Sequence, residues 1–97
     1  MDERQNRIIL EMLREIDEYL KKGIPFVKFV ALLEGLFEAA EIKEKSLIDG
    51  WYAHWTPLES ANGFYAGTGT EPPLSEIKRD LDKFKKFLAS ITQPKQA

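Results

Sequence analysis

Cysteine is absent from the 97 residues, histidine occurs once, and no Lys or Arg stands between Ser46 and Pro73. The first absence excludes disulfides, thiolate zinc sites, iron–sulfur clusters and thiol catalysis, and it fits a reducing cytoplasm. The second leaves His54 as the sole imidazole, too few for the paired Glu-x-x-His ligands of helical di-metal centres, so no metal or cofactor is expected. Long apolar runs are missing too. No segment approaches the roughly 18 uninterrupted apolar residues of a membrane span, and the opening MDERQNRIIL is charged where a signal peptide needs a basic start and an apolar stretch. The expected localisation is cytoplasmic, without membrane association. Period-two alternation of useful length is also lacking, which removes β-strands from consideration.

Helical periodicity is what the chain does contain. From about 2 to 22, Ile9, Met12, Leu13, Ile16, Tyr19 and Leu20 recur at spacings of three and four between acids, and Gly23 follows Lys21 and Lys22 as a helix stop. A second helix, 25–41, starts at Pro25 and is apolar around most of its circumference, so it is expected at the centre. The third, 46–66, opens with Ser46 and Asp49 in the arrangement of a capping box and contains Pro57, which predicts a kink or a break. A loop over 67–74 leads to the fourth helix, 75–91, with Ser75 as N-cap and Ile77, Leu81, Phe84, Leu88 and Ile91 as its apolar stripe. The tail 92–97 is expected to fray. With 43% hydrophobic residues, the chain predicts a single-domain, all-α antiparallel four-helix bundle.

Charge is uneven. Residues 46–73 carry three acids and no base, whereas residues 74–97 carry three acids and six bases. The stretch SLIDGWYAHWTPLESANGFYAG also concentrates Trp51, Tyr52, His54, Trp55, Phe64 and Tyr65. Trp51 and Trp55, four apart, share one helix face and are expected in the core. Tyr52 and His54 point away from that face, and Phe64 and Tyr65 precede a Gly-rich loop, leaving aromatic surface beside Asp49, Glu59 and Glu71, the ingredients of a docking face for a basic protein.

Catalytic signatures are wanting. No G-x-S-x-G turn accompanies His54, and GTGTE lacks the lysine of a phosphate-binding loop. His54 and Glu59 would form an acid/base pair only if Pro57 redirects the helix, because five residues separate side chains by roughly 140° on an unbroken one. Glu34, Glu38 and Glu41 read as a solvated strip. In KRDLDKFKKF, Asp80 and Asp82 interrupt the basic stripe, so nucleic acid is not an expected partner.

The segment Leu13 to Leu36, centred on YLKKGIPFVKFVALLEGL, resembles the opening helical hairpin of small bacterial immunity proteins of the colicin D type: a helix closed by a Leu-x-x-Gly-Ile turn, then a Phe-containing amphipathic helix. That resemblance implies a compact helical protein that binds a cognate nuclease toxin and masks its basic cleft with acidic residues. The expected function is therefore non-enzymatic protein binding, of immunity or antitoxin type, with Asp49, Tyr52, His54, Glu59 and Tyr65 at the interface. A homodimeric structural or regulatory domain, and a small acid/base enzyme using His54 and Glu59, are the alternatives.

Overall fold

The computed structural model of the chain describes residues 1–92. Four helices follow one another, α1 (Glu3–Lys22), α2 (Phe26–Ala40), α3 (Lys45–Thr68) and α4 (Leu74–Ile91), with no strand among the described residues. Each helix packs against its sequence neighbours and α1 closes the ring against α4, giving an antiparallel all-α bundle about 45 × 25 × 20 Å across. The expected tail lies outside the described residues except Thr92, which ends α4.

Each terminus has a distinct chemical cause. At the start of α1 the Asp2 carboxylate accepts the Gln5 N–H at 2.7 Å, and the Gln5 side-chain oxygen accepts the Asp2 N–H at 3.0 Å, a reciprocal capping box. Gly23 closes that helix at φ 66°, where a side chain would be strained, and donates to the Tyr19 carbonyl. The far end of α2 is clamped by α1: Arg4 donates to the Ala39 and Ala40 carbonyls at 2.8 and 3.3 Å, and Gln5 to those of Ala40 and Glu41 at 3.0 and 3.2 Å. These are the carbonyls a helix cannot satisfy internally.

Three expectations about helix ends are corrected. Pro25 is the N-cap of α2 and not its first residue, and the Phe26 N–H is taken at 3.0 Å by the Glu71 carboxylate, 45 residues away. No capping box forms at Ser46: α3 begins one residue earlier after Glu44, and Asp49 accepts instead from the Lys45 ammonium at 2.7 Å. Ser75 does not cap α4 either, because the extended Pro73 is the N-cap and places Ser75 inside the first turn.

Of the two outcomes open at Pro57, the break does not occur: α3 runs through it to Thr68, and Gly69, at φ 73°, is the residue that stops it. A proline inside a helix costs about 3 kcal/mol. Trp51, Trp55 and Leu58, buried on both sides of it, offset that cost, while Ala53 and Pro57 are exposed, so the carbonyl left without a donor is open to solvent. Continuity makes α3 the longest helix.

Trp51 is the hub of the core. Its fully buried ring stacks on Phe37 of α2 at 4.2 Å, meets the edge of Phe84 of α4 at 5.5 Å, and donates its indole N–H to the Met12 sulfur of α1 at 3.3 Å. One side chain therefore ties α3 to all three other helices. Trp55 donates to the Val30 carbonyl at 3.3 Å, and Tyr19 stacks on Phe29 at 4.6 Å to fill the other end. Among the described residues the buried set contains no residue classed as polar or charged, so the two indole N–H bonds are set in an otherwise apolar interior.

Candidate functional site

Because α3 is unbroken, its helical geometry decides where each candidate residue points, and the five do not converge. Asp49 lies on the outer face, exposed and paired with Lys45 one turn before it. His54 turns toward α4: its ring stacks on Phe87 at 4.8 Å and on Phe84 at 5.9 Å, and its Nδ1 sits 2.9 Å from the Gly50 carbonyl, so Nδ1 carries the proton and donates. Tyr65 is also on the α4 side, where its hydroxyl donates to the Glu76 carboxylate. That bond, more than burial, holds the Tyr65 pKa above the usual tyrosine range. On the continuous helix His54 and Glu59 leave the axis roughly 140° apart, so the acid/base pair is not assembled.

Tyr52 occupies the opposite flank, against α2. The ring is half-buried and edge-on to Phe37, Trp51 and Trp55, with centroids 5.5, 5.1 and 5.8 Å away. Burial first, and then the charges of Glu34 and Glu38, push its hydroxyl above the usual range. Two carboxylates of α2 thus neighbour an aromatic ring of α3. Glu59, exposed and seven residues after Tyr52, follows it on the same flank, since seven residues bring a helix back to within about 20°.

The same seam continues to a cavity of about 250 Å³ where the start of α2 meets the end of α3 and the following turn. Phe26, Val27 and Pro72 supply its apolar walls; Asn62, Tyr65 and Glu71 supply its polar ones. Val27 lies seven residues before Glu34, hence on the same side of α2. From one end to the other the α2–α3 seam presents Glu38, Glu34, Tyr52, Glu59 and Glu71, and α3 contributes no base to it beyond Lys45, which is already paired. Glu34 and Glu38 are the members missed in the sequence. Their spacing did signal one helix face, but only the register of α2 against α3 places that face beside Tyr52.

The other chemistries find little support in the geometry. Among the described residues no group of three or more His, Asp or Glu side chains could hold a metal ion, and no helix is long and apolar enough to cross a membrane. The basic stripe of α4 is partly spent, with Lys78 on Asp82 at 3.2 Å and Lys85 on Asp17 of α1 at 2.8 Å. Compared with protein-family models, with curated proteins and with solved structures, the chain finds no match in any of the three.

Proposed function

We propose that this domain works by binding a basic protein along the α2–α3 seam. The observation that carries the reading is the half-buried Tyr52 ring packed edge-on against Phe37 of α2, near enough to Glu34 and Glu38 of that helix for their charges to raise its hydroxyl pKa, on a flank that Glu59 extends. An aromatic ring near carboxylates, on a seam whose α3 ammonium, Lys45, is already paired with Asp49, offers both elements of a strong contact: apolar area that is already ordered, and a charge that selects the partner. Immunity or antitoxin activity against a basic nuclease domain is the most specific form of this proposal. It rests on the sign of the seam and on the resemblance carried by Leu13 to Leu36. His54, turned toward α4, drops out of the interface; Tyr65, although its hydroxyl is held by Glu76, still borders the cavity at the seam's end, and Asp49 lies at its edge.

Affinity capture with the native chain beside a Glu34→Lys, Glu38→Lys, Glu59→Lys variant tests it, followed by calorimetry with whichever purified protein is retained. Retention of a basic protein by the native chain alone is the expected result. Equal retention by the reversed-charge variant would sink the proposal. A homodimer through α2 is the second reading, favoured by Val27 and Leu32, apolar residues left 51% and 39% exposed on its two opposite flanks. Light scattering that returns a strictly monomeric mass removes it.

A further inference from the structure

On the other flank of α2, facing α1, the charge has the opposite sign. An open groove of about 530 Å³ runs between these two helices, with Ile8, Leu10 and Leu36 as its apolar floor and walls. Arg4, Arg7 and Arg14 surround it, against the single acid Glu11, which leaves a formal charge of +2 (three bases less one acid). Two of the three cations are already engaged: Arg4 on the end of α2 and on Glu41 at 3.4 Å, and Arg14 on Glu11. Arg7 has no ion-pair partner among the described residues. Leu10 is 53% exposed at the groove's edge, and Leu32, one turn before Leu36, extends the apolar strip.

Single exposed leucines are ordinary on a protein surface. Leucines on two neighbouring helices, lining one channel beside an unpaired guanidinium, are a more specific arrangement. The channel between two antiparallel helices has the shape that receives a third, and the excess of positive charge selects one carrying carboxylates. We propose that the α1–α2 groove is a second docking surface, taking an acidic amphipathic helix of another protein. Leucines of that helix would lie along Leu10 and Leu36, and a carboxylate would pair with Arg7. A second copy of this chain docked symmetrically fits poorly, because a two-fold axis through the groove brings Arg7 and Arg14 against their own copies. A bilayer fits poorly as well, since the apolar residues line a concavity and form no projecting face.

Fluorescence anisotropy on the full chain tests the proposal, using a labelled helical peptide of about 16 residues with leucines at spacings of three and four and glutamates between them. The control peptide has every Glu replaced by Lys. Saturable binding of the Glu peptide alone is expected, weakening as salt is added and roughly tenfold weaker for Arg7→Glu. Leu10→Ala should weaken it too, whereas Glu38→Lys on the acidic seam should leave it unchanged, which separates this surface from the one proposed above. Arg7 and Leu10 are exposed, so circular dichroism of both variants should match the native chain. Four results would overturn the proposal: no saturation up to about 1 mM peptide, equal binding of the Lys peptide, indifference to Arg7→Glu, or Arg7-dependent binding to anionic phospholipid vesicles or to the chain itself in place of the peptide.

Discussion

Gly50 should behave unlike the other glycines of its helix, and the difference can be given a sign. A methyl group built on Gly50 would lie 2.8 Å from Cε1 and 2.9 Å from Cζ of Phe87, where ordinary contact begins at 3.4 Å. The ring must therefore retreat by about 0.6 Å (3.4 less 2.8) to ordinary contact. It cannot do so freely, because its face is stacked on His54, and His54 is in turn held to the Gly50 carbonyl. Replacing glycine by alanine inside a helix gains about 1 kcal/mol of propensity, while overpacking costs about 1–3 kcal/mol. Gly50→Ala is thus predicted to destabilise by about 1 kcal/mol. In a Phe87→Ala background the clash is gone, and the same substitution should stabilise by about 1 kcal/mol, a coupling of about 2 kcal/mol between the two sites. Gly63→Ala in the same helix, whose methyl would meet nothing within 4 Å, should stabilise by about 0.5–1 kcal/mol in any background. Urea unfolding followed by tryptophan emission and by far-ultraviolet dichroism reads the native chain and all four variants. If Gly50→Ala stabilises the native background as much as Gly63→Ala does, the close packing of α3 on Phe87 is wrong.

Other perturbations have equally definite outcomes. Met12→Leu conserves volume, yet it strips the buried Trp51 indole N–H of its acceptor, so it should cost about 1–3 kcal/mol where such a swap usually costs less; a loss below about 0.5 kcal/mol would mean that the sulfur is not the partner. Glu71→Ala should cost about 0.5–2 kcal/mol by uncapping α2, and Glu71→Gln, which keeps an acceptor for the Phe26 N–H, should recover most of it in the same urea titration. All three tyrosines of the chain have raised pKa values: Tyr65 through its bond to Glu76, Tyr19 through burial and then Glu71, Tyr52 through burial and then Glu34 and Glu38. The folded state therefore keeps protons that the unfolded chain releases at about pH 10, so stability is complete below that pH and falls as pH rises through the folded values. Glu34→Gln, Glu38→Gln should bring the ultraviolet titration of Tyr52 down toward its ordinary value, and an unmoved curve would separate those carboxylates from the ring.

Local patterns made the helices legible because each buries one stripe: Ile77, Leu81, Phe84 and Leu88 are all in the core, as their spacing requires. Helix starts were harder to read. Ser46 and Ser75 have the right chemistry for caps, but the backbone enters each helix one residue earlier, at α4 because Pro73 already holds an extended conformation. The polar fasteners at the two ends of α2 join residues 35 to 45 apart, Arg4 and Gln5 to its last carbonyls and Glu71 to its start, and no local window contains both partners. The candidate site divides along the same line. Tyr52 and Glu59 could be placed on one flank of α3 from spacing alone, whereas Glu34 and Glu38 join them only through helix register. The groove beside Arg7 was invisible for the same reason, since its walls come from two helices.

The grip of Arg4 and Gln5 on the last carbonyls of α2 also orders events during synthesis. The direct hydrogen bonds that fasten α1 to α2 lie within the first 41 residues, so this hairpin can close before any of α3 has emerged from the ribosome. Its inner surface, with Met12 and Phe37 exposed, then waits for Trp51, and for Phe84 and Leu88 to complete the ring. At about 5–20 residues per second, the 47 residues from Ile42 to Leu88 take roughly 2–9 s to emerge. For that interval the nascent chain carries an uncovered apolar face on a hairpin whose ends are already tied, and that is the form of this protein a ribosome-associated chaperone would meet.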